Sequence, residues 1–289
     1  MLWAVHISDG ILQAPWWLGG YAVAAPLLVF SAWRVRDDEV PRIALLTAAF
    51  FVVSLIHVRV GFTSVHLLMN GLVGIVLGRR APLAIIVGLF LQYWLMPLPH
   101  GGMQTLGVNT CVLAVPALAV WLLFRASQWL PWVRHPWFRS FLVLASMLTW
   151  LVSLAFSVVL LFDNVLHNAD VAIENIVFDN AAALVLNPPF WIFAFVLALL
   201  ATWGESRLEN APEFPLGLML GQVAVLSSVA LNCTVLLYGG EQHWPTPPLV
   251  LVVLHLPIAV FEGVVLGFTL GFLAKVKPEL LGLGRQASQ

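Results

Sequence analysis

Apolar residues run along this chain in long blocks, and polar positions are confined to short breaks between them. Set against the ~20 residues an α-helix needs to cross a bilayer, the blocks fall at 16–33, 42–58, 65–78, 82–98, 106–124, 138–162, 183–203, 215–238 and 248–274. The pattern predicts an all-α polytopic membrane helix bundle of about nine spans, with one transmembrane domain over 1–275 and a cytoplasmic tail at 276–289. The third block is short and carries Gly71, Gly74 and Gly78. It reads as a half-helix, or as a helix buried among neighbours where protein satisfies irregular backbone.

Composition supports this class. The 289 residues are 61% hydrophobic and 9% charged, whereas a soluble domain carries about 25% charged residues. Lys and Arg number 13. Placing the N-terminus outside puts Arg34, Arg36, Arg42, Arg79, Arg80, Arg125, Arg134, Arg139, Arg207, Lys275, Lys277 and Arg285 inside, and leaves Arg59 alone outside, as the positive-inside rule requires. The external connections are acidic or neutral, with Asp163, Asp170, Glu174, Asp179 and Glu241. No basic run suggests nucleic acid. Cys111 and Cys233 lie in apolar blocks without zinc-type or disulfide spacing. The start lacks the charged n-region of a signal peptide, and Gly and Pro interrupt it.

With this topology His6, His66 and His100 reach the same outer face from distant parts of the chain. They read either as separate surface histidines or as a convergent set. His6 follows closely on the chain start in Val5-His6-Ile7-Ser8-Asp9. Near a free amine, an imidazole and its backbone amide can chelate one ion in a plane, a geometry suited to Ni(II) or Cu(II) and usable by Co(II). His57 and Arg59 stand near the outer end of the second span, where they equally suit interfacial anchors. His135, His167 and His243 read as surface loop residues. His255 and Glu262, seven apart, share a helix face; such intramembrane groups are either functional or a packing pair. The loop Pro99-His100-Gly101-Gly102-Met103-Gln104-Thr105 opens a helix on which Thr105 and Asn109 are four apart. It reads as a capped tight turn or as a plug over a bound solute. The chain has no G-x-x-x-x-G-K-[ST] loop, nucleophile elbow or H-E-x-x-H helix, so active movement of a solute needs another polypeptide to drive it.

Four stretches carry a family resemblance: His6-Ile7-Ser8-Asp9-Gly10-Ile11-Leu12, Ser64-Val65-His66-Leu67-Leu68-Met69-Asn70-Gly71-Leu72-Val73-Gly74, the loop from His100 to Thr110, and Leu256-Pro257-Ile258-Ala259-Val260-Phe261-Glu262-Gly263. Together, in this order, they resemble the CbiM/NikM family, the cobalt- and nickel-specific membrane subunits of energy-coupling-factor (ECF) ABC transporters. The resemblance is best over the first 125 residues and about 215–275. It implies a multi-pass subunit of the bacterial inner membrane that captures Ni(II) or Co(II) as transported substrate and is not itself an enzyme. The implied partners are a coupling transmembrane subunit, paired cytoplasmic ATPases, usually a small accessory membrane subunit, and membrane lipid. It further implies that His6, His66 and the backbone nitrogen of Val5 are metal ligands. Asp9, His100, Thr105 and Asn109 support them, and no residue is catalytic.

The chain departs from the family pattern in two places. Family members begin Met-His, whereas Met1-Leu2-Trp3-Ala4 precede Val5-His6 here. Valine is also the reading of a GTG start codon, so the expected working start is position 5, with its amine as a ligand. The alternative is a true extension with fewer donors. Residues 130–210 also look like an inserted helical pair beside a seven-helix core. A competing function class is an intramembrane metal-dependent enzyme built on pairs such as His255 and Glu262; it expects ligands at mid-membrane depth rather than at the outer face.

Overall fold

The computed structural model describes residues 6–60, 63–95, 101–149, 151, 196, 213–241 and 246–283. The chain forms two compact units, 1–127 with 223–252 and 128–222 with 253–289. Five stretches among the described residues are long and apolar enough to cross a membrane: Ala14–Ala32, Asn70–Leu95, Leu106–Ser127, Glu213–Gly239 and Ile258–Val276. The protein is thus a polytopic helical membrane protein. The block expected at 183–203 falls outside the described residues except Val196, as does most of the supposed insertion at 130–210; residues 136–149 are helical.

In the first unit the helices are α1 (Ala14–Ala32), α2 (Val40–Ser54), α3 (Asn70–Leu77), α4 (Ala81–Leu95) and α5 (Leu106–Ser127). Pro15 opens α1, where a missing N–H costs nothing. Helix α3 has eight residues, all but Leu72 buried. At 1.5 Å per residue it is about 12 Å long, too short to cross a bilayer alone. The stretch Asn70–Leu95 is therefore not one rod. Gly78 adopts φ +56, a conformation that glycine takes without strain, and the turn Gly78–Arg80 reverses the chain.

Side-chain registers fix the directions. Asn70 bonds the Leu113 carbonyl at 3.3 Å, Gly74 abuts Ala117, and Gly78 abuts the Trp121 ring, so α3 and α5 run the same way. Gly20 abuts Val108, and Gly107 abuts Tyr21, which packs α1 closely against the start of α5. Helix α4 runs with α2 instead: Gly88 receives Phe50, and Gln92 Nε2 donates to Ser54 Oγ at 2.7 Å. The small residues Gly20 and Ala24 of α1 are used internally, because Gly20 lies against α5 and Ala24 is buried.

One end of this unit collects cations. Arg80, 1% exposed, donates to the carbonyls of Ser31 (2.6 Å), Trp33 (2.8 Å) and Arg34 (2.8 Å) and to Glu39 Oε2 (2.6 Å). The last carbonyls of a helix lack intrahelical partners, and a cation there also meets the negative end of the helix dipole. Arg80 supplies both to α1, whose exit turns through Arg34 at φ +50, a place usually held by glycine. Arg36, Arg42 and Arg79 flank the same connections, and Arg125 sits 5.6 Å over the Trp121 ring, beside Gly78.

A departure from the all-α reading, among the described residues, is an antiparallel hairpin of β1 (His57–Val60) and β2 (Thr63–His66). Val58, Val60, Thr63 and Val65 are β-branched and alternate with other residues, which suits strands better than helix. The second block accordingly ends as helix at Ser54, not near 58. Two long helices follow later in the chain, α6 (Glu213–Gly239) and α7 (Thr246–Val276). Within the second unit, Gly217 and Gly221 of α6 meet Gly267 and Gly263 of α7 backbone to backbone, a reciprocal small-xxx-small contact.

Candidate metal centre

The N-terminal segment lies as a strap across the end of the first unit opposite Arg80. Ile7 and Leu12 form its apolar footing with Val108 and Val112 of α5, flanked by Trp16, Trp17, Val235 and Leu236. On one side it pairs with the end of α6: Leu12 bridges Gly240, Gln13 N–H donates to the Gly239 carbonyl at 2.9 Å, and Glu241 N–H donates to the Ile11 carbonyl at 2.9 Å. On the other side it is held by the start of α5. The Asn109 side-chain amide clamps Ile7 at both backbone groups, accepting from its N–H at 2.9 Å and donating to its carbonyl at 2.9 Å. That pairing also fixes which end of the amide is oxygen. The Thr105 hydroxyl donates to the same carbonyl at 2.6 Å.

Asp9 completes the clasp. Its Oδ1 accepts the Thr105 N–H at 3.0 Å, placing a carboxylate on an otherwise orphaned donor at the opening of α5, where negative charge is favourable. Gly101 is at φ +81, and a Cβ at Gly102 would overlap the Asp9 carboxylate. The Gly101-Gly102 pair is thus needed twice, once for conformation and once for space. Gly10 N–H donates to Gln104 Oε1 at 3.2 Å, and the Tyr21 hydroxyl bonds the Met103 carbonyl.

These contacts fix the backbone directly after His6, whose side chain is 2% exposed. Its ring lies 4.9 Å, centroid to centroid, from that of His66, which is 4% exposed. His66 Nδ1 lies 2.9 Å from the Leu67 carbonyl. A carbonyl only accepts, so Nδ1 carries the proton, and Nε2 is the ring's lone-pair nitrogen. A carbonyl partner on one ring nitrogen fixes the tautomer and the ring orientation and leaves the other nitrogen for a metal. With metal–nitrogen bonds of about 2 Å, two rings at this separation can share one ion. Among the described residues, no group of three or more His, Cys, Asp or Glu is placed to hold a metal, so further donors must be backbone groups or residues outside that set. Val5 and His100 lie outside the described residues.

The sequence reading put His6, His66, Asp9, Thr105 and Asn109 in this region, and the structure brings all five together. It missed Gln104, Tyr21 and the strand-like pairing to Gly239–Glu241. It also missed Asn70 at the head of α3, four residues after His66, which donates to Ser228 Oγ at 2.8 Å and ties this region to α6. Main-chain pairing leaves no side-chain signature; for Asn70, a buried amide in an apolar block was the available signal. His255 and Glu262, both buried on α7, belong to the second unit.

The chain matches the family described as cobalt uptake substrate-specific transmembrane region, CbiM, over residues 6–192 and 173–280. It is 40% identical over 122 residues to a putative metal transport protein of Haemophilus influenzae, covering 42% of this chain and 58% of that one. To the cobalt transport protein CbiM of Geobacter sulfurreducens it is 32% identical over 135 residues, covering 43% and 38%. The chain thus spans less than two thirds of each of these relatives. The fold is also that of a solved structure described as a truncated transition metal transporter, with TM-score 0.52 at 16% identity, covering 93% of this chain and 98% of that one. Profile, relatives and fold agree, and the chain belongs to the CbiM family of cobalt uptake transmembrane proteins.

Proposed function

We propose that this protein is the substrate-capturing membrane subunit of an ECF-type importer, and that it binds Co(II) or Ni(II) through the imidazoles of His6 and His66. The observation that carries the reading is the meeting of these two buried rings at 4.9 Å from positions far apart in the chain. The strap and clasp hold the backbone beside His6 in place, and the Leu67 carbonyl orients the His66 ring, before any ion arrives. Preorganisation of this kind lowers the ordering cost of binding. The remaining donors are the backbone nitrogens of His6 and Val5, an all-nitrogen set that suits Ni(II) and accommodates Co(II). Relatives named as cobalt transport proteins support the metal class.

The cation-rich end supports an orientation with the metal centre outside and Arg34, Arg36, Arg42, Arg79, Arg80 and Arg125 inside. In this reading a separate coupling subunit and cytoplasmic ATPases supply the energy, since the chain has no phosphate-binding loop of its own. The test is uptake of radiolabelled Co(II) and Ni(II). The purified chain in liposomes should bind metal without concentrating it, and concentrative uptake should appear only when coupling subunit and ATPases are co-reconstituted. Robust concentrative uptake by the chain alone would assign it to another transport class.

A further inference from the structure

A groove of about 410 Å³ runs between α1, α5 and α6 of the first unit, walled by Gly19 and Val23, Cys111 and Val115, and Leu231 and Val235. The lining is aliphatic and aromatic apart from the Cys111 thiol, which already donates to the Gly20 carbonyl at 3.5 Å. Walls of this kind favour an apolar occupant, since a polar one would lose its hydrogen bonds to water. All three helices are long and apolar enough to cross a membrane. The lining residues Val23, Val115 and Leu231 are exposed, so the groove is continuous with the lipid-facing surface. At Gly19 the wall is open: a Cβ there meets no atom within 4 Å. Trp16, Val108, Val112 and Val235 line the groove and also belong to the apolar footing of the strap. An occupant of the groove therefore packs against the element that carries His6.

Size and direction select the occupant. Helices α1 and α5 both leave the strap at their first turns, so the groove leads away from it along the membrane-spanning length. It follows α1 from Pro15 to Val23, about 12 Å at a rise of about 1.5 Å per residue. That is close to one leaflet's share of a hydrocarbon core about 30 Å thick. Spread over this length, 410 Å³ leaves a cross-section of about 34 Å², whereas a helix about 10 Å across occupies about 80 Å². The groove is too narrow for a partner's transmembrane helix and suits one extended hydrocarbon chain. We propose that it binds one acyl chain of a phospholipid from the leaflet at the strap end, and that this chain completes the strap's apolar footing. Lipid tails are as apolar as the groove, so retention comes from close packing in a shaped wall rather than from a hydrophobic gain. The effect on metal binding rests on the metal-capture reading; the lipid site itself does not.

The experiment takes the full chain from vesicles of phosphatidylethanolamine and phosphatidylglycerol into detergent and washes away loosely held lipid. Native mass spectrometry counts the phospholipid retained, and Co(II) is titrated before that lipid is stripped, after stripping, and after phospholipid is restored. Two variants are compared: Gly19→Leu, whose side chain occupies the groove, and Ala22→Leu, which adds bulk on an exposed part of α1 outside it. The parent and Ala22→Leu should retain one phospholipid per chain, and Gly19→Leu none. Stripping should weaken Co(II) binding by the parent at least about 5-fold, the low end of coupling between two sites, and phospholipid should restore it. Gly19→Leu, propped by its own side chain, should bind Co(II) equally well with and without lipid. A parent that retains no phospholipid, or a Gly19→Leu variant that retains as much as the parent, overturns the lipid site. So does retention of free fatty acid or detergent in place of phospholipid. Parent affinity that stripping leaves unchanged overturns the link to the strap. Should Gly19→Leu not fold, crosslinking of the parent by a phospholipid with a diazirine in its acyl chain decides. Labels concentrated on Cys111, Val115, Leu231 and Val235 are expected, and labels spread evenly over exposed helix faces contradict. A parent that binds no Co(II) with its lipid in place defeats the metal-capture reading, and the lipid count is then read by itself.

Discussion

Asn109 shows how one side chain can govern a metal site without touching the ion. It binds both backbone groups of Ile7, the residue after His6, and at 2% exposure it has no water to replace those bonds. Removing it strands a buried N–H, and leaving such a group unsatisfied costs about 1–3 kcal/mol. The backbone carrying His6 would loosen. Asn109→Ala is therefore expected to lower metal affinity about 10–100-fold, the range typical of outer-shell partners, while the protein still elutes as a folded species. Isothermal titration of the variant checks this, and affinity equal to the parent's would mean the clamp does not hold the ligand. The sequence made this residue visible because Thr105 and Asn109 fall four apart at a helix opening. It did not reveal that their partner is the main chain of Ile7, since backbone acceptors carry no residue-type signal.

At the scale of elements, the short helix α3 is the link between the two ends of the first unit. It begins four residues after His66 and stops at Gly78, next to the Arg80 knot that closes α1. Glu39 anchors that knot. Its carboxylate accepts from the Arg36 N–H at 3.0 Å and from Arg80. These bonds, the Arg36 backbone first and the Arg80 guanidinium next, hold its pKa below the usual value of 4.5. A carboxylate whose folded pKa is depressed contributes stability above its unfolded pKa and loses it as pH falls through the folded value. The parent should thus unfold at higher temperature than Glu39→Gln at neutral pH, with the gap narrowing as pH drops below about 4.5; a gap independent of pH would exclude the ionic contribution. Arg80→Leu should cost more, because it also removes the donor to the carbonyls of Ser31, Trp33 and Arg34, about 1–3 kcal/mol for an acceptor left buried and unsatisfied. The apolar blocks made most helices readable, since runs near 20 residues have one solution in lipid. The hairpin was obscured because the apolar run of α2 continues through Ile56 and merges with the strand pattern. Arg80 counted only as a cation in a loop, and its three carbonyl partners become evident only once the ends of α1 and α3 are placed together.

For the whole molecule, the first unit has a histidine end and an arginine end, joined by helices whose directions follow from paired registers: Asn70 on Leu113 with Gly74 on Ala117, and Gly88 on Phe50 with Gln92 on Ser54. Reporter fusions after Arg125 should read cytoplasmic and fusions at Glu241 external; the reverse pattern would put the metal centre on the wrong side for capture. The central claim is that His6 and His66 hold one ion between them. Equilibrium binding of Co(II) and Ni(II) to the purified chain, to His6→Ala, to His66→Ala and to the double variant tests it most directly. Residues acting on a shared ligand are coupled, so their effects do not add. Each single substitution should abolish high-affinity binding, and the double variant should bind no worse than either. Retained high-affinity binding in His66→Ala, or losses in the two singles that simply add in the double, would contradict a shared ion.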